Sequence, residues 1–214
     1  MKILTEFEAK KVLSKYGIRV TQGSIAKSED EASHIASSIG FPVAMKISSP
    51  DISHKSDVGG VVLNVKKEEV KSSYSDMISR VSKAVPQANI EGVLVQQMAP
   101  SGHEVIVGVK KDAQFGHALM FGLGGIFVEV YKDVSFRVTP IDKKEAIEMI
   151  SEIKGYPILK GIRGRKPADM DAVAQVLVSV SEMAEKENIA ELDINPLIVG
   201  ENGAVAVDAR AMVE

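Results

Sequence analysis

The sequence contains no cysteine, which removes disulfides, thiolate metal sites and cysteine nucleophiles and leaves a reducing compartment unopposed. It also lacks an excess of positive charge. The net charge is -3 and no basic block interleaves with aromatic residues, so nucleic acid and anionic membranes are poor partners. Long apolar runs are missing too. The longest, Ala118 to Val128, is interrupted by Gly122, Gly124 and Gly125 and is too short to span a bilayer. The N-terminus, Met1-Lys2-Ile3-Leu4-Thr5-Glu6, turns charged at once, so a signal peptide is not expected and the cytoplasm is the default location. What is present is ordinary for a folded chain: 214 residues, 45% apolar and 26% charged, enough for one domain or two closely packed subdomains.

Familiar site signatures are absent as well. No glycine loop ends in Gly-Lys-Ser/Thr, and Gly122-Leu123-Gly124-Gly125-Ile126-Phe127 lacks the last glycine of a dinucleotide fingerprint, so a nucleotide would have to be held differently. The four histidines are scattered and none forms the helical zinc pattern of two histidines around a glutamate, which argues against zinc.

Helices and strands alternate in the first part of the chain. Thr5 with Glu8, and Ser28 with Glu31, are capping signatures that open helices ending near Gly17 and Gly40, each with an apolar stripe at helical spacing. Ile18 to Ala26, Val43 to Ser48 and Val61 to Val65 are short β-favouring runs bounded by glycine and proline. A third helix is expected over Lys67 to Val85. Strands follow at Val93 to Met98, His103 to Val109, Ala118 to Leu123 and Phe136 to Ile141, then a helix capped by Asp142 and Glu145 and a long one over Ala168 to Glu187. A hairpin from Ala190 to Arg210 closes the chain. The order predicts an α+β fold of two subdomains, residues 1–95 and 96–214.

Several residues in this frame can carry chemistry. In Val43 to Ser48, alternation sends Val43, Met45 and Ile47 to one face and Ala44, Lys46 and Ser48 to the other. Lys46 is then either a solvent-facing lysine on a half-exposed strand or an amine whose desolvation a phosphate offsets. The loop Ser49 to Val61 holds hydroxyls, Lys55, Gly59 and Gly60, whose N–H groups suit an anion, and His54, a possible base or phosphorylatable nucleophile; an ordinary surface connection is the alternative. In the last hairpin Glu191, Asp193 and Asn195 share a face, opposite Leu192, Ile194 and Ile198. If Gly200 to Gly203 close the turn, Asn195 faces Asp208, with Cβ atoms about 5 Å apart. An amide oxygen and a carboxylate would converge there, as Mg²⁺ requires, whereas a turn on Asn202-Gly203 would shift the register by two. In this reading Asp208 shares its face with Ala204 and Ala206. Glu104 shares one with Ile106 and Gly108 and is either a ribose-side or metal-side acceptor or simply solvated.

Met45-Lys46-Ile47-Ser48-Ser49-Pro50-Asp51 with His54-Lys55-Ser56-Asp57-Val58-Gly59-Gly60-Val61, then Gly92 to Met98, then Glu191-Leu192-Asp193-Ile194-Asn195-Pro196-Leu197, resemble the ATP-grasp fold over nearly the whole chain. The likeness is to the nucleotide-binding (beta) subunit of ADP-forming acetyl-CoA or acyl-CoA synthetases, relatives of succinyl-CoA synthetase. It implies two α/β subdomains with the nucleotide site between them. It further implies ATP or ADP as ligand, with Lys46 on the phosphates, Gly60 among the nucleotide-binding residues and Gln96 to Met98 on the adenine. Glu104 would sit by the ribose and phosphates, Asn195 and Asp208 would bind Mg²⁺, Asp193 would steer a phosphohistidine and His54 would be a second phosphate carrier. The implied reaction converts acyl-CoA, ADP and phosphate to acid, CoA and ATP. The chain shows no CoA-binding fingerprint, so a CoA-binding alpha subunit is expected as partner in a hetero-oligomer. Gly161 to Pro167, the one loop both basic and glycine-rich, is a candidate contact with it. The alternatives are another ATP-grasp ligase and a non-catalytic ATP-sensing module regulating a partner.

Overall fold

The computed structural model describes residues 1–52, 54–125, 132–162, 164 and 166–214. In chain order its elements are β1 (Lys2–Leu4), α1 (Glu6–Lys15), β2 (Gly23–Ala26), α2 (Glu29–Ile39), β3 (Val43–Ser48), β4 (Val61–Val65), α3 (Val70–Ala84), β5 (Gly92–Gln97), β6 (His103–Asp112), β7 (Gly116–Leu123), β8 (Val134–Val138), α4 (Lys143–Glu152), α5 (Tyr156–Leu159), α6 (Met170–Lys186), β9 (Ile189–Gly200), β10 (Gly203–Ala206) and β11 (Ala209–Val213). They form two compact units, one of residues 21–98 and one of residues 1–20 with 99–214.

The unit of residues 21–98 is a four-stranded antiparallel sheet in the order β2-β5-β3-β4. Val43, Met45 and Ile47 of β3, with Val93 and Val95 of β5, pack on Ala32 and Ala36 of α2 and on Val70, Met77 and Val81 of α3. Each large side chain buried there stabilises by roughly 1.5–3 kcal/mol. The capping signature at α2 is realised: Ser28 Oγ accepts from Glu31 N–H, and the Glu31 carboxylate accepts from Lys27 N–H. α3 starts three residues later than expected because Lys67–Glu69 form a 3₁₀ turn, held by the Glu69 carboxylate on Lys66 N–H.

The other unit is a seven-stranded antiparallel sheet, β1-β11-β9-β6-β7-β8, with β10 paired to the distal half of β9. One face packs on α1, α4 and α6 through Val105, Val107, Val109, Leu119, Phe121, Leu192 and Ile194 against Leu13, Met149, Leu177 and Val180. Capping boxes at Thr5/Glu8 and Asp142/Glu145 open α1 and α4. The first twenty residues belong here, not with 21–95 as the chain order suggested. β1 pairs with β11, and α1 buries Ala9 and Leu13 in this core. The expected strand from Ile18 to Ala26 is accordingly cut short. Val20 bridges to Ala206 in this unit, and only Gly23–Ala26 joins the other sheet. The strand placed at Phe136 to Ile141 instead covers Val134–Val138, since its pairing with β7 begins at Val134↔Gly122 and Pro140 has no N–H for a ladder.

Strict alternation fails once in β9. The β6–β9 register shifts between Val105↔Leu197 and Val107↔Ile194, so Asn195 and Pro196 together oppose Ile106. This is a β-bulge, with Pro at the point where a donor is not needed. Core positions therefore run Leu192, Ile194, then Leu197, Val199, while Ile198 leaves that core and stands opposite Glu104. The partner strands switch in step, with Ala204 and Ala206 and then Ala209 and Ala211 inside. Ile198 thus does not share a face with Ile194, nor Asp208 with Ala206.

Candidate functional site

In the unit of residues 21–98 the candidate groups lie on the sheet face away from the helices. Every residue of β3 is buried. Val43, Met45 and Ile47 enter the core, and Ala44, Lys46 and Ser48 take the other face, as alternation predicts. Lys46 is 6% exposed and sits opposite Leu94, while Ala44 sits opposite Gln96, itself 1% exposed. Lys46 and Gln96 are therefore diagonal neighbours on one face, and the Gln96 amide oxygen accepts from Thr21 Oγ1 at 3.3 Å. A buried ammonium, rather than one facing water, is one whose desolvation an anionic ligand can offset.

The expected hinge divides into two parts. Gln96 lies in β5 between Gly23 and Ala44, and Gln97 N–H donates to Gln22 O at 2.9 Å, so this backbone is committed to the sheet. Met98 lies just past the strand, at the unit boundary, with its sulfur accepting from Asn64 N–H. The loop after β3 is a series of turns: Asp57 N–H donates to His54 O, Gly59 N–H to Ser56 O and Gly60 N–H to Lys55 O at 2.7 Å. The N–H groups of Gly59 and Gly60, expected to be open to an anion, are thus engaged inside the loop. Gly60 is needed because a Cβ there would lie 2.6 Å from Ile47 Cγ2. His54 is exposed. Ser53, and Arg163 and Arg165 of the basic loop, lie outside the described residues. Lys166 in that loop is tethered, its carbonyl taking a 2.8 Å hydrogen bond from His103 Nε2.

In the other unit the candidate groups gather on the non-core face of the sheet. β9 and β10 pair with Gly203 opposite Gly200, and Asn195 N–H donates to Asp208 O at 3.2 Å, so Asn195 and Asp208 face each other as expected. Asp193 lies opposite Arg210 on one side and Gly108 on the other. Glu104 alternates with the core residue Val105 and shares its face with Ile106 and Gly108. One face therefore carries Glu104, Asp193, Asn195, Asp208 and Arg210.

Asp193 reaches solvent, yet partial burial first, and the carboxylates of Asp208 and Glu191 second, push its pKa above the ordinary carboxylate range; Arg210 pulls it down. Crowded carboxylates beside an amide oxygen are hard donors that a divalent cation would satisfy. Among the described residues no group of three His, Asp or Glu side chains could hold a metal. Mg²⁺ would therefore need further oxygens from outside the chain, as nucleotide phosphates provide.

Two features escaped the sequence reading. Arg210 could have been found by extending the same hairpin register two residues. The seating of Glu104 on Gly124 and Gly125 has no periodic signature and could not.

The ATP-grasp domain family model matches residues 1–213. The chain is 51% identical over 212 residues to the beta subunit of ADP-forming acetate–CoA ligase I of Pyrococcus furiosus, covering 98% of this chain and 91% of that one. It is also 51% identical over 203 residues to ADP-forming acetate–CoA ligase I of Archaeoglobus fulgidus, where 94% of this chain spans 30% of a longer protein. Among solved structures, the dinucleotide forming acetyl-coenzyme A synthetase 1 of Ca. Korarchaeum cryptofilum, in complex with coenzyme A, Ca-AMPCP and HgCl⁺, superposes with a TM-score of 0.96 at 49% identity, over 100% of this chain and 94% of that one. The same synthetase with coenzyme A and Mg-AMPPCP, its phosphohistidine segment pointing towards the nucleotide binding site, gives 0.87 at 44% identity over 100% and 93%. Among the described residues no helix is long and apolar enough to cross a membrane. The chain belongs to the ATP-grasp family, with the beta subunits of ADP-forming acetate–CoA ligases.

Proposed function

We propose that this chain is the nucleotide-binding subunit of a cytoplasmic ADP-forming acyl-CoA synthetase, which converts acyl-CoA, ADP and phosphate to acid, CoA and ATP through phosphohistidine. The observation that carries the reading is the pair Asn195 and Asp208, opposed in register on the non-core face beside Asp193. Bound there, Mg²⁺ would offset charge on the transferred phosphoryl group. Lys46 would neutralise phosphate oxygens from its buried place on β3, and the backbone around Met98 would meet the adenine. Glu104 would accept hydrogen bonds from the ribose.

His54 would act as a neutral imidazole. Its nitrogen attacks the phosphorus of a phosphohistidine on the partner, forming one P–N bond as the other breaks. ADP oxygen then takes the phosphoryl group, releasing the imidazole. Asp193 would steer the phosphohistidine of that relay. The partner would be a CoA-binding alpha subunit, in a hetero-oligomer such as two copies of each chain.

The test is to purify the chain with its CoA-binding partner and measure ATP formation from ADP, phosphate and a panel of acyl-CoA thioesters. ATP formation that fails in His54→Ala, together with acid-labile, base-stable label on protein from γ-labelled ATP, is expected. ATP formation that survives in His54→Ala points to a different ATP-grasp ligase, and ATP binding without label points to a sensing module.

A further inference from the structure

Glu104 is an exposed carboxylate for which, among the described residues, no hydrogen bond or ion pair is made by the side chain. What sets its position is steric. β6 and β7 pair with Val105 opposite Leu123, so the next residue, Gly124, stands opposite Glu104 and donates its N–H to Glu104 O at 2.8 Å. Opposed residues in a ladder normally keep their Cβ atoms about 4.5–5.5 Å apart. Here a Cβ on Gly124 would lie 3.0 Å from Glu104 Cβ and 3.1 Å from the Glu104 carbonyl. A Cβ on Gly125 would lie 3.8 Å from Glu104 Oε2, an ordinary contact, so there only a longer side chain would crowd the carboxylate. The side chain therefore runs across both glycines, with its tip above Gly125. Gly125 has φ +64, a left-handed conformation that glycine adopts without cost and that asparagine tolerates. Ile198, opposite Glu104 in β9 and 5% exposed, is the apolar neighbour on the other side.

We propose that Gly124 and Gly125 determine the sugar selectivity of the nucleotide site, by forming the floor that holds the Glu104 carboxylate where it accepts hydrogen bonds from the vicinal hydroxyls of a ribose. This rests on the ribose role given to Glu104 above. A carboxylate has two oxygens and several lone pairs, enough to take both hydroxyls of a cis-diol, and acidic residues serve ribose hydroxyls in other nucleotide folds. The two glycines are positioning residues: they touch Glu104, and through it the sugar.

The experiment compares ADP with 2′-deoxy-ADP by calorimetry on the full chain, in the presence of Mg²⁺, for wild type, Gly124→Ala, Gly125→Asn and Glu104→Gln. A hydrogen bond to a charged acceptor corresponds to a preference of about tenfold or more for ADP in the wild type. Both glycine variants are expected to lose most of that preference by weakening ADP while leaving 2′-deoxy-ADP unchanged. General damage to the fold would weaken both nucleotides together, and that result overturns the proposal. Should Gly124→Ala not fold, Gly125→Asn keeps the left-handed backbone and carries the test alone. Discrimination lost in Glu104→Gln but kept in Gly125→Asn removes the glycine role and leaves the ribose role standing. Discrimination kept in Glu104→Gln removes both.

Discussion

At the scale of single residues, charge decides which side chains can be changed without harm to the fold. Asp193 is held above the ordinary carboxylate range by burial first and by Asp208 next. Substituting Asp208→Asn removes that like charge, so the Asp193 carboxyl should titrate at lower pH than in wild type, though burial keeps it raised; carbon-detected NMR titration of Asp193 measures this. The same variant should lose most of the Mg²⁺ dependence of nucleotide binding, because an amide is a weaker donor for a hard cation. His54 differs. It is exposed, and among the described residues its one hydrogen bond runs through its carbonyl, which accepts from Asp57 N–H. His54→Ala should leave the thermal midpoint within the range of a change of about 0.5 kcal/mol while abolishing labelled phosphate on the protein. A large loss of stability would mean that the imidazole is structural.

At the scale of elements, local chemistry was the most legible part of the sequence. Thr5/Glu8 and Asp142/Glu145 declare capping boxes in four residues each. The alternation of β3 is explicit in Val43 to Ser48, whereas the hairpin sequence allowed two registers, of which the one with Gly203 opposite Gly200 is realised. What was hidden needs a second strand to be seen. The bulge at Asn195 and Pro196 exists only relative to Ile106 of β6, and the pairing of β1 with β11 joins the two ends of the chain. The Gly60 N–H looked available because its acceptor, Lys55 O, is a backbone atom that no side-chain pattern announces. The turn between β6 and β7 gives a prediction at this scale. The Asp112 carboxylate accepts from Gln114 N–H at 2.8 Å and Phe115 N–H at 3.0 Å, which holds its pKa below the ordinary value. A depressed folded pKa contributes stability that is present above the unfolded value, about 3.9, and is lost as pH falls through the folded one. Asp112→Ala should therefore lower the thermal midpoint at pH 7, and the gap to wild type should close as the pH falls below 4.

At the scale of the whole chain, contacts and sequence order disagree about residues 1–20. They precede the unit of residues 21–98 yet contribute Leu4, Ala9, Leu13 and Ile18 to the core of the other. Leu13 is fully buried there and Ile18 is 3% exposed. Removing Leu4, Leu13 and Ile18 would forfeit roughly 1.5–3 kcal/mol each. That sum is comparable with the total stability of a typical domain, about 5–15 kcal/mol. Deleting residues 1–20 should therefore unfold the unit that includes residues 99–214 before the unit of residues 21–98. Hydrogen exchange followed by mass spectrometry reads this directly. Amides of β9, β11 and α6 should lose protection in the truncated chain, while those of β3 and β5, whose core draws on no residue before Ala26, should keep it. Loss of protection confined to residues 21–98 would reassign the first helix to that unit.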